Sequence, residues 1–367
     1  MAATTARPQP AVITAGSPLR PPDPMKSTWL TQDPSTWNVY QRSLDWLGAH
    51  AAQPGRSVPK HPKTHKVPHL GQATQHLWIL AHGFFPLLLH QLFVTLTARP
   101  VGAPASFFLY TLSFNFTVVR LVNTLRRLAH THGFLDGDVA DRNGIPDRGA
   151  DKVLNALFKA VGGRMGFVIC IAYDPRQAPL QALGGWRALA LAALKTGLHG
   201  IILDFWFYLY HRALHELPSL WRFHRTHHLV KHPSAALTAY ADHGQEFLDM
   251  VGVPLLTWAT FYAVGLPLGF YDLWLCLQYL VYTEVLGHSG LRLHLSAPSM
   301  LSWPLWALGM ELCIEDHDLH HRQGWRRSQN YGKQTRVWDR IFGTCGERVE
   351  LREKNIDYVN QASMPIW

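Results

Sequence analysis

Cysteine is scarce in this sequence of 367 residues, which contains four: Cys170, Cys276, Cys313 and Cys345. None of them forms a CxxC pair, and three lie in or beside apolar segments. This pattern argues against a disulfide framework and against a zinc-finger type of site. A site that faces a reducing compartment such as the cytosol fits the cysteine usage better.

A long apolar run is missing from the N-terminal part of the chain. The first such run begins near residue 77, so we expect no N-terminal signal peptide and a membrane insertion that uses internal segments. Residues 1–70 are polar and rich in proline, with no sustained apolar periodicity. They are predicted to form a disordered or loosely attached tail.

Nucleic-acid-binding motifs are also absent, although the formal net charge is +9. Basic residues such as Arg126 and Arg127 follow an apolar run, which is typical of the cytoplasmic face of a membrane with its anionic lipids. We therefore expect a lipid bilayer as partner and no nucleic acid. Flavin and nicotinamide fingerprints are missing as well, so the sequence predicts no binding site for either cofactor.

Several apolar runs are long enough to cross a bilayer, which takes about 20 residues. Residues 77–98 and 104–123 are predicted as a helical hairpin, and residues 186–210 as a further span with an aromatic end. Residues 153–173 carry basic side chains and fit an interfacial helix as well as a span. The predicted fold class is an all-α integral membrane protein with four to six membrane helices in hairpins.

Three histidine boxes accompany these runs. They consist of His211 and His215, then His224, His227 and His228, and finally His317, His320 and His321. Spacings of three and four place imidazoles on one face of a helix, within reach of a common metal ion. Eight ligands are too many for one metal, so the sequence predicts two metal ions. Imidazole suits Zn, Cu, Fe and Ni, and the ligand type alone does not choose among them.

A second hairpin is predicted between the second and third boxes. Residues 248–266 and 270–286 are apolar and are separated by Pro267 and Gly269. The two ends of a hairpin lie on the same side of a membrane. We therefore expect the second and third boxes to meet on one face, in a helical cap outside the spans.

The boxes and their flanks resemble the fatty acid hydroxylase/sterol desaturase superfamily of membrane di-iron oxygenases. The pattern HxxxH, HxxHH, HxxHH is met residue by residue. The stretch from Asn330 to Gly332, followed by Trp338 and Asp339, is similar to the C-terminal signature of the superfamily. The resemblance covers roughly residues 185–345.

The superfamily supplies further histidines between the second and third boxes. His288, in a Gly-His-Ser-Gly stretch, is interpreted as such a ligand. His243 resembles another conserved element, but Gly244 stands where relatives have proline, so a ligand role and an outer-sphere role stay open. No catalytic residue beyond the metal ligands is predicted. Acidic neighbours are expected to orient imidazoles through their second N–H group: Asp204, Asp242, Glu315, Asp316 and Asp339.

The resemblance implies a function and its requirements. Two non-haem Fe ions would activate O2 and attack an unactivated C–H bond of a lipophilic substrate, either by hydroxylation or by desaturation. Sterols, fatty acyl lipids and related apolar metabolites are used by superfamily members. The resemblance also implies cytochrome b5 or a similar carrier with an NAD(P)H reductase, and a location in the endoplasmic reticulum membrane with the boxes facing the cytosol. Aromatic side chains are expected to line the substrate cavity: Trp206, Phe207, Tyr208, Tyr279 and Tyr282.

The predicted organisation has four parts. Residues 1–70 form the tail, residues 71–180 a membrane hairpin with an interfacial segment, residues 185–350 the catalytic domain, and residues 351–367 a C-terminal tail.

Two other functions remain open at this level. A membrane metal transporter or metal-binding protein would also need clustered histidines, but transporter histidines are expected along a path in mid-membrane. A zinc hydrolase would need a carboxylate base near the metal, and no HExxH motif is present.

Overall fold

The apolar runs form long helices, and the polar connections between them form short ones. The computed structural model describes residues 23–366 except Trp325 and Arg327. Its helices are α1 (Val39–Trp46), α2 (Gln72–Thr97), α3 (Ala103–His132), α4 (Ala150–Ala172), α5 (Pro179–Leu183), α6 (Trp186–Glu216), α7 (Trp221–His224), α8 (His243–Phe247), α9 (Val253–Ala263), α10 (Phe270–Gly287), α11 (Ser302–Ala307), α12 (Ile314–Gln323) and α13 (Val337–Phe342). Two short strands, β1 (Val67–Leu70) and β2 (Ile356–Ala362), complete the architecture.

Four helices of the described part are long and apolar enough to cross a membrane: α2, α3, α4 and α6. They contain 23 to 31 residues each, more than the roughly 20 that a bilayer requires. Large apolar side chains on α2, such as Leu88 and Leu96, are 65% and 75% exposed, as expected for a face that contacts lipid. The prediction of an all-α integral membrane protein is confirmed, and residues 153–172 belong to one of the long helices.

The second predicted hairpin exists, but its helices differ from the expected spans. A π-helical turn, Leu248–Gly252, separates α8 from α9, and α9 has only 11 residues. Of the 18 residues of α10, 16 are buried. Because α2, α3, α4 and α6 pack around it, α10 is surrounded by protein rather than by lipid. The hairpin still returns the chain to the same end of the bundle.

The described part of the N-terminal segment differs from the predicted loose tail. Trp29 is 1% exposed, and its indole N–H donates to the carbonyl of Ile145 at 2.9 Å. Asp147 accepts hydrogen bonds from the main-chain N–H groups of Thr28 and Trp29. A few well-placed apolar residues therefore fix this segment to the helices, although its average composition is polar. Residues 1–22 lie outside the described part of the chain.

The C-terminal segment is attached as well. Strand β2 pairs in parallel with β1, with Val67 opposite Ile356. Met364 is 4% exposed, and its main-chain N–H donates to Thr74 at the start of α2. Both ends of the described chain are thus attached to the helices by specific contacts. The small sheet is an addition to the predicted all-α fold.

Candidate metal centre

The three boxes lie at the ends of elements that meet at one end of the bundle. The last turns of α6 carry His211 and His215, and α12 carries the third box. The second box is not one continuous helix: His224 ends α7, and His227 and His228 begin a 3-10 turn that ends at Leu229. The bend still turns all three imidazoles inward, and each is buried.

The nine predicted histidines, the eight of the boxes and His288, form two buried clusters. Within each cluster the ligand atoms lie within 4.8 Å of one another. The first cluster contains His211, His215, His224, His228 and His320, and the second contains His227, His288, His317 and His321. Each cluster combines residues from at least two boxes, so the boxes are shared between two centres rather than assigned one to each.

His243 lies outside both clusters. Its side chain is 79% exposed, and its Nδ1 lies 2.9 Å from a carboxylate oxygen of Glu246. The structure therefore does not support a ligand role for His243. Gln245, two residues further on, is the residue of this segment that reaches the centre: its Oε1 lies 2.9 Å from Nδ1 of His224.

Main-chain carbonyl groups fix the orientation of most imidazoles in the clusters. Such contacts of 2.7–3.2 Å join Nδ1 of His211 to Tyr331, of His227 to Tyr240, of His288 to Glu284, of His320 to Gln329 and of His321 to Val230. A carbonyl oxygen only accepts hydrogen bonds, so Nδ1 must carry the proton in each of these rings. The Nε2 atoms are consequently left with a free lone pair.

These Nε2 lone pairs point at one another. The distance between the Nε2 atoms of His227 and His288 is 3.3 Å. Nε2 of His211 lies 2.9 Å from Nε2 of His224, whose Nδ1 also faces an acceptor, Oε1 of Gln245. Two nitrogen atoms that both lack a proton cannot hydrogen-bond to each other. A cation between them resolves this conflict, because each lone pair then becomes a ligand. The residues present therefore fit two metal ions.

Burial keeps the imidazoles in the form that binds metals. It lowers the pKa of His227 to about 3 and that of His288 to about 4. Burial, together with neighbouring imidazoles, holds the pKa of His228 and His321 well below the ordinary value. Rings with such pKa values are neutral at physiological pH, as metal coordination requires.

The acidic residues predicted to orient the imidazoles act elsewhere. Asp204 accepts hydrogen bonds from the main-chain N–H groups of Lys333, Gln334 and Thr335 at 2.8–3.1 Å. Asp339 accepts from those of Tyr331 and Gly332, both at 2.8 Å. These carboxylates hold the loop whose Tyr331 carbonyl orients His211. They therefore support the centre through this loop, rather than by contacting an imidazole directly as predicted.

The other three acidic residues also contact protein groups rather than the histidines. Asp242 pairs with Lys152, Glu315 accepts from the main chain at Glu350 and Leu351, and Asp316 pairs with Arg348. A sequence does not reveal which main-chain carbonyl accepts a hydrogen bond from a histidine, because every residue has a carbonyl group. This is why carboxylates were the expected orienting groups.

Asp204→Ala is expected to weaken metal retention about 10–100-fold, the usual effect of losing an outer-sphere partner of a metal site. The substitution removes the acceptor for three N–H groups, two of them in buried hydrogen bonds, so the loop is expected to shift and the Tyr331 carbonyl to leave His211. Metal content after dialysis of the purified protein measures the effect. Asp174→Ala, at a partly exposed carboxylate paired with Arg176, is the control and should retain metal normally. Unchanged retention in Asp204→Ala would contradict the positioning role.

An apolar cavity adjoins both clusters. Its walls come from α3 (including Val118 and Val122), from α4 (including Leu157 and Val161) and from the N-terminal segment (including Leu44). His211, His224, His227, His288 and His317 line its inner end. Phe207 is the only one of the five predicted aromatic residues in this lining, because the others contact neighbouring helices instead. An apolar molecule bound in this cavity would lie next to the clustered histidines.

Comparison with known proteins agrees with this site. The family model described as fatty acid hydroxylase matches residues 196–344, which include all nine clustered histidines. Fatty acid hydroxylase vlmA from a Lecanicillium species is 44% identical over 327 residues, which cover 87% of this chain and 89% of the relative.

More distant relatives match a smaller part of the chain. Human alkylglycerol monooxygenase and the methylsterol monooxygenase erg25B of Aspergillus fumigatus are each 28% identical over 147 residues. These matches cover 39% of this chain and 28% and 45% of the respective relatives. No solved structure matches the chain significantly. The chain belongs to the fatty acid hydroxylase family, and it is an oxidoreductase of the hydroxylase type.

Proposed function

We propose that this chain hydroxylates an unactivated C–H bond of a lipid at two iron ions held by the nine clustered histidines. The observation that carries the proposal is the pair of clusters whose Nε2 lone pairs converge beside an apolar cavity. Two iron ions bound there would supply the activation of O2 and the attack on the C–H bond.

The protein itself positions the substrate and the imidazoles, and it excludes water from the site. Aliphatic side chains of α3 and α4 surround the lipid chain and exclude water from the inner end of the cavity. Hydrogen bonds from Nδ1 to main-chain carbonyls hold the imidazoles rigidly, so that little reorganisation is needed during turnover. The histidines serve as ligands and not as acids or bases, since each ring has its proton committed to Nδ1 or is deeply buried.

Hydroxylation is favoured over desaturation by the names of the relatives. They are called fatty acid hydroxylase, alkylglycerol monooxygenase and methylsterol monooxygenase, and each name specifies insertion of oxygen into a lipid. We therefore infer a lipid substrate for this chain. The catalytic unit is proposed to comprise residues 185–350.

The electron donor is proposed to be cytochrome b5 or a similar acidic carrier that an NAD(P)H reductase reduces. Arg222 and Arg225 are exposed on the segment that carries the second box, next to His224. A basic surface this close to the centre suits an acidic carrier, both in steering and in electron-transfer distance. We further propose the endoplasmic reticulum membrane with the clusters facing the cytosol, which agrees with four cysteines that form no disulfide.

A metal transporter is the main alternative. The histidines gather in two compact clusters at one end of the bundle rather than along a path through it, which favours a catalytic centre. A zinc hydrolase is less well supported, because within the described residues no carboxylate belongs to either cluster.

Metal analysis combined with oxygen uptake tests the proposal. The purified chain in nanodiscs is expected to contain two irons and to consume O2 when a reduced carrier and a lipid are supplied together. A fatty acid, an alkylglycerol and a methylsterol form the substrate panel, and mass spectrometry detects a gain of one oxygen atom. Zinc instead of iron without O2 uptake, or metal flux into vesicles, would contradict the proposal.

A further inference from the structure

Five charged side chains interrupt the apolar lining of the cavity. Glu246 forms an ion pair with His243, and the other four are close enough to interact electrostatically. These four are Arg164 on α4, Asp249 on the π-helical turn, Glu284 on α10 and Lys333 on the loop that follows α12. We call them the polar tetrad. Glu284 lies at the centre, with its carboxylate oxygens 3.2 Å from Nη2 of Arg164 and 2.7 Å from Nζ of Lys333. The side chains of these three residues are each 10% exposed.

Two atoms of the polar tetrad are buried without a hydrogen-bond partner among the described residues. One is the Nε–H donor of Arg164, and the other is the Oδ1 acceptor of Asp249. The two residues come from neighbouring segments, since a Cβ at Gly163 would lie 3.5 Å from Sδ of Met250. Leaving a buried donor and a buried acceptor unpaired is costly, so a missing group that satisfies both is expected.

A hydroxyl group meets this requirement. Its oxygen accepts from Arg164 while its O–H donates to Asp249. A carboxylate offers acceptors only, so it would leave the Asp249 oxygen unpaired. It would also add negative charge to a lining that already holds three acidic side chains, Glu246, Asp249 and Glu284, and only two basic ones. The tetrad therefore favours an uncharged hydroxyl over an anion.

The polar tetrad lies beside the histidines and not at the far end of the cavity. Nζ of Lys333 is 4.0 Å from the ring centroid of Phe207, and this ring is 4.8 Å from that of His211. The main-chain carbonyl of Glu284 contacts Nδ1 of His288 at 2.7 Å. A hydroxyl held by the tetrad is thus close to the metal ligands, while the rest of the lipid extends between α3 and α4.

We propose that the polar tetrad binds the hydroxyl group of an uncharged, hydroxyl-bearing lipid between Arg164 and Asp249, and that oxidation occurs near this polar end of the substrate. The proposal rests on the proposed function only in taking this cavity as the substrate cavity. Alcohols with a straight chain and those with a ring system share the required chemistry.

Photo-crosslinking in nanodiscs tests the head-group preference without any turnover. The probes are a C14 alcohol with a diazirine in its chain, its methyl ether, the corresponding carboxylic acid and a diazirine sterol. Peptide mass spectrometry identifies labelling of the cavity-facing segments of α3 and α4. The alcohol is expected to label them about tenfold more than the ether, the size of effect given by one hydrogen bond to a charged group. Comparison of the C14 alcohol with the sterol distinguishes the two kinds of alcohol.

Substitutions of Asp249 sharpen the test. Asp249→Leu removes the acceptor and should reduce labelling by the alcohol to the level of the ether. Asp249→Asn keeps an acceptor, so the preference for the alcohol should persist, whereas labelling by the acid should rise because a negative charge is gone. Asp272→Asn is the matched control, because Asp272 forms a comparably buried ion pair with Lys195 outside the cavity lining.

Three results would overturn the proposal. They are stronger labelling by the acid than by the alcohol in the unmodified chain, equal labelling by alcohol and ether, and no labelling of the cavity by any probe. Loss of the preference in an Asp249 variant counts only if its thermal transition matches that of Asp272→Asn. Preferential labelling by the alcohol, together with the absence of an oxygenated product in the activity assay, would refute the proposed function alone. Formation of an oxygenated product without preferential labelling by the alcohol would refute this inference alone.

Discussion

His321→Ala is expected to abolish hydroxylation while leaving insertion into the membrane intact, and His228→Ala should do the same. His321 is one of four residues in its cluster, so its loss leaves three ligands for a metal ion. The effect on activity should exceed the roughly 10–100-fold that follows loss of an outer-sphere partner. Insertion depends on the long apolar helices, which neither substitution touches. Iron content, product formation and carbonate-resistant membrane association are the measurements.

His243→Ala is the matched control for both substitutions. His243 lies close in sequence to the second box, yet its side chain is largely exposed and belongs to neither cluster. Iron content and activity should stay near those of the unmodified chain. Full activity in His321→Ala or His228→Ala would refute the ligand assignment, and a large loss in His243→Ala would reopen it for that residue.

Arg292→Met is expected to destabilise the folded chain by about 3–5 kcal/mol, the usual cost of breaking a buried ion pair from one side. Arg292 and Glu350 form such a pair at 2.9 Å, and both side chains are 1% exposed. The guanidinium also donates to the carbonyls of Lys66 and His65, so it joins the N-terminal segment to the C-terminal one. Thermal and denaturant unfolding in detergent micelles measure the loss.

Two further variants separate the ion pair from general effects of an arginine substitution. Arg176→Met removes an exposed arginine that pairs with Asp174, and it should leave the unfolding transition close to that of the unmodified chain, because solvent screens an exposed ion pair. Arg292→Met combined with Glu350→Gln should recover part of the lost stability, because no uncompensated charge stays buried. Equal stability of Arg292→Met and the unmodified chain would show that the pair contributes nothing.

The histidine clusters show how far local sequence patterns reach. Spacings of three and four predict that His317, His320 and His321 converge on one point, but α12 places His320 in the first cluster and His317 and His321 in the second. His288 was assigned through the resemblance and takes its place in the second cluster. His243 shows that a residue role taken over from a family resemblance can fail. The altered neighbour, Gly244, marks a segment in which Gln245 rather than His243 reaches the centre.

The apolar runs alone do not show which helices are buried in protein and which face lipid. The run 270–286 is apolar enough to suggest a span, but α10 is enclosed by four other helices. Apolarity shows only that a surface avoids water, and it does not distinguish lipid from protein as the neighbour. Residues 23–70 differ from their prediction in the opposite sense. Their average composition is polar, which predicts a loose tail, but a few buried contacts attach the segment to the helices.

The sequence by itself identified the nine histidines that cluster, the family and the all-α membrane fold, because each depends on short-range periodicity or on residue identity. Only the tertiary structure decided how nine histidines divide into two clusters, and which carbonyl groups set their protonation. It also decided that Arg164, Asp249, Glu284 and Lys333 share one cavity. These features join residues far apart in the chain, and their partners are main-chain atoms or isolated charges that leave no pattern in a sequence.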